Sequence, residues 1–131
     1  MLAVDHRLRD SNAFRRTVSS GRRAGGAALV VHLLDDAPRD GLRDGLRESE
    51  TGPRVGLVVG KTVGNAVVRN RVKRRLRHLV REYLTVLPLS SDLVIRALPG
   101  AAPLTSAELG AELARCLQRV GPAVPVVRAE S

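Results

Sequence analysis

The chain has 131 residues, enough for one domain with its own core. Hydrophobic residues make up 44% and aromatic residues only 2%, so the core must be built from Val, Leu, Ile and Ala. The formal net charge of +9 makes an ordinary enzyme of a small neutral metabolite a poor default and points to a polyanion or an acidic surface as partner.

One cysteine, Cys116, excludes an internal disulfide scaffold and a CxxC zinc site, and is expected to be a core residue. No uncharged apolar run reaches the roughly 18 residues of a membrane span. The opening MLAVDHRLRD meets its charges before any apolar signal core, so a cytoplasmic protein with no membrane partner is expected.

In chain order, Asp5–Gly21 reads as an extended lead and a short helix. Ser11 is a plausible N-cap, Ala13, Phe14, Thr17 and Val18 form a narrow apolar stripe, and Gly21 is a stop. Arg15, Arg16, Arg22 and Arg23 make a small basic patch there. Ala27–Leu34 is an apolar, β-branched run expected to be a strand. Asp35–Pro53 holds six acids and three arginines among glycines, and reads as an exposed acidic loop. Arg54–Gly60 and Asp92–Leu98 are the next strands. The longest helical pattern lies between them, from about Asn65 to Leu84. A last helix, Ser106–Arg119, opens on a capping box with Thr105 at N-cap and Glu108 at N3. Leu109, Leu113, Cys116, Leu117 and Val120 recur along it at helical spacing. Gly121 and Pro122 end it, and residues 122–131 read as a flexible tail. The pattern α-β-β-α-β-α predicts a single two-layer α+β domain, residues 1–131, with one small mixed sheet packed with helices.

The charge is concentrated. Residues 54–83 carry nine basic residues and one acid, while the rest of the chain carries 13 and 12. On a helical wheel Val68, Val72, Leu76, Leu79, Val80 and Tyr83 fall on one side. Asn70, Arg71, Lys73, Arg74, Arg77, His78 and Arg81 fall on the other, with Arg69 and Arg75 at the borders. Like charges spaced i,i+4 destabilise a helix by about 0.2–0.5 kcal/mol per pair. No acid interrupts this face before Glu82, so a polyanion is needed to neutralise it. Arginine forks suit phosphate oxygens. Nucleic acid is therefore preferred over an acidic protein, a membrane surface or a merely solvated face, but charge alone does not separate RNA from DNA. Zinc spacing, a leucine zipper and an aromatic-rich single-strand motif are all missing from the sequence.

The string GNAVVRNRVKRRLRHLVRE resembles the RNR motif of the bacterial ribonuclease P protein component. Gly64-Asn65-Ala66-Val67, Arg69-Asn70-Arg71, Lys73-Arg74 and Arg77 carry the likeness. It is extended by Arg54–Lys61, by Arg7-Leu8 with Phe14 and Gly21, and by Asp92–Arg96, over roughly residues 5–120. The resemblance implies a fourth short strand near Arg22–Gly26, hence the order α-β-β-β-α-β-α, and a left-handed βαβ crossover. It implies an accessory protein that binds a catalytic RNA and the 5′ leader of precursor tRNA, one protein per RNA, with no role for DNA. In such an assembly leader removal is performed by the RNA with magnesium, and the protein holds no cofactor of its own. Lys61, Asn65, Arg69, Asn70, Arg71, Lys73, Arg74 and Arg77 match the residues that face the catalytic RNA, and Asn65 is also a candidate helix cap. Phe14, Arg15, Arg16, Val18, Arg22 and His32 are the candidate leader contacts. Phe14 is open to two uses, anchoring the first helix or stacking a base. Val18 and His32 stand where the family often has aromatics. The acidic loop resembles an insertion, which chain entropy tolerates cheaply.

No local motif of a protein active site is present. His6, His32 and His78 are far apart, and Asp5, Asp10, Glu82 and Asp92 form no two-metal pattern. The alternative function is a non-catalytic basic RNA-binding or ribosome-associated protein.

Overall fold

The computed structural model describes residue 8 and residues 11–35, 52–88 and 90–120. The elements are α1 (Ser11–Ser20), β1 (Arg22–Gly25), β2 (Leu29–Leu34), β3 (Arg54–Val58), α2 (Ala66–Val80), β4 (Asp92–Ala97) and α3 (Ser106–Val120). The fold is α+β with one mixed sheet of order β1-β2-β4-β3. β1 pairs with β2, and β2 with β4, antiparallel; β3 pairs with β4 in parallel. A parallel pair needs a long crossover, and α2 supplies it between β3 and β4.

The sequence segments gave the elements with shifted ends. Ser11 lies inside α1 rather than capping it, and the residues just before it are outside the described set. Ala27 and Ala28 form a bend, so β2 starts at Leu29; β3 stops at Val58 and β4 at Ala97. α2 ends at Val80 and tightens into a 3-10 turn over Arg81–Tyr83 instead of running on to Leu84. β1 has no apolar alternation to betray it: Arg22, Arg23, Ala24 and Gly25 become a strand by pairing with β2. Of the predicted acidic loop, residues 36–51 lie outside the described residues, as does the tail from residue 121.

Helices cover both faces of the sheet, so the expected two layers become three. The main core joins Leu29, Val31, Leu33, Val55, Leu93 and Ile95 to Val72, Leu76 and Val80 of α2 and to Leu109, Leu113, Cys116 and Leu117 of α3. The opposite face bears a thinner cluster of Leu8, Ala13 and Val94, with Phe14 and Val58 against it. Central strands flanked on both faces carry nearly continuous apolar runs, as LVVHLL does in β2. The Leu8 N–H donates to the Val55 carbonyl at 2.9 Å, covering part of the outer edge of β3.

Two polar anchors hold the layers in register. At the head of the parallel pair, Arg54 Nε and Nη2 donate to Asp92 Oδ1 and Oδ2 at 2.9 and 2.8 Å. The capping box of α3 forms as read: Glu108 N–H donates to Thr105 Oγ1 at 3.1 Å, and Thr105 N–H to Glu108 Oε1 at 2.9 Å.

Glu112, which sequence reasoning passed over, lies on the apolar stripe of α3 and is buried. Its Oε2 accepts from Ala28 N–H at 2.8 Å and from Leu29 N–H at 3.3 Å, closing the β1–β2 bend. The bond from Ala28 outweighs burial and, with the bonds from Arg115 and Leu29, holds the carboxyl below its ordinary value. A depressed carboxylate stabilises the fold above its unfolded pKa and loses that contribution as pH falls through the folded one. Glu112→Ala strands two backbone donors and is expected to cost about 2 kcal/mol at pH 7. Below the ordinary glutamate pKa of about 4.3 the gap should narrow. Urea unfolding of both proteins across pH 3–7 checks this, and a gap independent of pH would refute the charged-acceptor role.

Candidate nucleic-acid interface

The basic surface is built on α2 and the turn before it. Residues 61–63 form a turn in which Val63 N–H donates to Gly60 O and Gly64 N–H to Lys61 O. Gly64 has φ +157°, and a Cβ there would stand 2.8 Å from Val68 Cγ1, so the chain passes here only as glycine. Asn65 then caps α2, its Oδ1 accepting from Val68 N–H at 3.0 Å. The capping role of Asn65 is thus met, and its RNA-facing role is a separate matter.

The helix turns its apolar stripe inward as the wheel requires. Val72, Leu76, Val80 and Tyr83 are buried, while Val68 and Leu79 pack at the margin. Asn70, Arg74, His78 and Arg81 are exposed; Arg69, Arg71, Lys73 and Arg77 are half-buried along the flanks. All eight residues expected to face the catalytic RNA therefore lie on this helix or its leading turn, with no acid between them. The border residue Arg75 is engaged otherwise: its Nη1 donates to Leu104 O at 2.8 Å, tying α2 to the segment before α3. Arg54, counted in the basic stretch, belongs to Asp92. Arg69 Nε and Arg71 Nε are buried and have no hydrogen-bond partner among the described residues. A buried unmet donor costs about 1–3 kcal/mol. Phosphate oxygens drawn to these guanidinium groups would offset part of that.

The candidate leader contacts divide. Phe14 packs its ring end over Gly56, where a Cβ would lie 2.2 Å from Phe14 Cζ, so Phe14 anchors α1 to the sheet. Val18 is exposed on the same helix. Arg15 is hydrogen-bonded to Asn12, and Arg16 is half-buried. His32 is buried at 6% exposure on the sheet face that carries α1. Burial first, then the charges of Arg23 and Arg96, push its imidazole pKa down. Arg22 does not join this group. It is ion-paired with Asp35, and strand alternation sets it with Ala24 on the face of the main core. Arg23 and Arg96 lie instead on the sheet face of His32 and Val94. Sequence reasoning missed both as site residues. The available signal was parity: in β4, Leu93 and Ile95 turn into the core, so Val94 and Arg96 must turn away from it.

Among the described residues no group of three or more His, Cys, Asp or Glu side chains is placed to hold a metal ion. Cys116 is buried, and burial raises its thiol pKa, which suits a packing residue better than a nucleophile.

Residues 2–121 match the family model described as Ribonuclease P. A ribonuclease P protein component from a Nocardioides species is 52% identical over 121 residues, covering 92% of this chain and 96% of that protein. The one from Rhodococcus jostii is 48% identical over 126 residues, covering 96% and 97%. The solved RNase P protein of Staphylococcus aureus superposes with a TM-score of 0.70 at 23% identity, over 87% of this chain and 94% of that one. The RNase P protein of Thermotoga maritima gives 0.67 at 23% identity, over 88% and 97%. At that identity the solved structures speak for the fold, whereas the family model and the close relatives speak for descent: the chain belongs to the ribonuclease P protein component family.

Proposed function

We propose that this chain is the accessory protein subunit of ribonuclease P, a ribonucleoprotein endonuclease that removes the 5′ leader of precursor tRNA. The observation that carries the reading is the unbroken basic face of α2, held at a fixed start by Gly64 and Asn65, in a chain of this family. On this reading α2 and Lys61 bind the catalytic RNA. The face carrying α1 receives the leader through Phe14, Arg15, Arg16, Val18 and His32. Hydrolysis is the work of magnesium ions held by the RNA, and the protein acts by lowering repulsion where two RNAs approach. One protein per RNA, a cytoplasmic site of action and no engagement of DNA or membrane complete the reading. The β3–α2–β4 crossover is taken as left-handed, as the resemblance to the family implies; the parallel pairing of β3 with β4 requires a crossover there.

Cleavage of 5′-labelled precursor tRNA at low magnesium tests it, with protein alone, bacterial catalytic RNA alone, both, and neither. Cleavage chiefly in the combined arm, releasing an intact leader, is the expected result. Cleavage by protein alone would place an active site in the protein. Folded protein that binds RNA without stimulating cleavage would leave the general RNA-binding alternative.

A further inference from the structure

Among the described residues most arginines away from α2 are engaged: Arg15 with Asn12, Arg22 with Asp35, Arg54 with Asp92, Arg115 with Glu112, and Arg119 with the Gly25 carbonyl. Arg23 and Arg96 are exposed and have no hydrogen bond or ion pair among the described residues. Strand register sets them on either side of one buried group. Arg23 is the direct cross-strand partner of His32 in β1–β2. Across β2–β4, His32 faces Val94, and Arg96 is two residues on, facing Val30. Direct partners stand about 5 Å apart and diagonal ones about 7–8 Å, within reach of a single tetrahedral anion for long arginine side chains. His32 Nδ1 is shielded from solvent and has no hydrogen-bond partner among the described residues. Asp92, the acid on this face of β4, is fully buried and spent on Arg54. Two uncompensated cations thus flank a buried, underbonded imidazole.

We propose that Arg23, His32 and Arg96 form a seat for one phosphodiester group of a single-stranded RNA, gripping its backbone rather than stacking a base. The proposal deepens the leader-binding reading and rests on it. Stacking is poorly served here. The chain has one Phe and one Tyr; Phe14 is seated on Gly56 and Tyr83 is buried in the main core. Val18 has no ring, and His32 offers little ring surface. Two guanidinium forks and an imidazole N–H are what a phosphate takes.

The test uses holoenzyme reconstituted with bacterial catalytic RNA. Precursor tRNAs carry a neutral methylphosphonate at each leader linkage in turn, a second series carries abasic leader nucleotides, and leaderless tRNA is the control. One methylphosphonate position should weaken binding by about fivefold at 0.1 M salt, the share of one single-strand phosphate. Arg23→Ala/Arg96→Ala should lose a similar factor on the unmodified leader and become insensitive to that substitution. Its thermal unfolding should match wild type, since both side chains are exposed. His32→Leu, verified as folded, should shed part of the sensitivity; full wild-type sensitivity would remove His32 from the seat. Abasic sensitivity without methylphosphonate sensitivity, or an equal methylphosphonate loss in the double variant, overturns the seat alone. Equal binding of precursor and leaderless tRNA by wild-type holoenzyme overturns the leader reading and the seat together.

Discussion

Replacing Arg69, Arg71 and Arg74 together by alanine is expected to weaken binding to the catalytic RNA by about two to three orders of magnitude at 0.1 M salt. The figure follows from counterion release. Each phosphate neutralised adds roughly 0.7–0.9 to the slope of log affinity against log salt, and three such contacts are removed. The wild-type slope should be steep, roughly −4 to −5 for six contacts, and the variant's shallower by about 2 to 3. These arginines suit the test because the helix does not need their charge. Its inward stripe is Val72, Leu76 and Val80, its cap is Asn65, and its tie to α3 is Arg75. Removing like charges spaced along one helix should even stabilise the free protein slightly. Filter binding across a salt series, with thermal unfolding as the control, decides the matter. An unchanged slope would show that another surface carries the RNA. Discrimination between precursor and leaderless tRNA, measured at saturating protein, should survive the triple change, because the candidate leader face lies across the sheet from the main core that α2 helps to build.

Asp92→Ala should be the most damaging single substitution to stability, at about 3–5 kcal/mol. The carboxylate is fully buried and bound through both oxygens to a guanidinium with 22% of its side chain exposed. Deleting it leaves a cation facing a dry cavity at the start of the only parallel strand pair among the described residues, β3 with β4. Against a typical total stability of 5–15 kcal/mol, the loss is a large fraction, and it should lower Tm by roughly 10 °C or more. Replacing both partners, Arg54→Met with Asp92→Leu, should recover more than half of the loss, since no charge is then left unpaired. Thermal and urea unfolding of wild type, single and double variants form the test. A single-variant loss below about 1 kcal/mol would mean that water or another group compensates the arginine.

The parts of this protein that were legible in its sequence are those governed by neighbours along the chain. A helix brings residues three and four apart together, so local spacing was enough to assign the inward stripe of α2, its unbroken basic face, the cap at Asn65 and the capping box at Thr105. The RNR string then tied that face to a family. β1 was legible only through the resemblance, because a strand of RRAG has no pattern of its own and exists by pairing with β2. Phe14 shows the limit on the other side: its stripe was visible, but the seat of its ring is set by Gly56, a residue on a strand far along the chain.

What only the tertiary structure decided are the polar arrangements that depend on strand register and on which helix crosses which turn. Glu112 looked like a stray acid until α3 placed it against the bend at Ala28, 84 residues away in sequence. Arg54 looked like part of the RNA-binding charge until the parallel register set it beside Asp92. Arg22 and Arg23 were indistinguishable as neighbours in a basic patch. The pleat sends successive side chains to opposite faces, giving one to Asp35 and the other to the candidate RNA face beside His32. Charge density and helical faces are local properties and can be counted from residues. The pairing of charges across a sheet is set by non-local hydrogen bonding, which the order of residues alone leaves open.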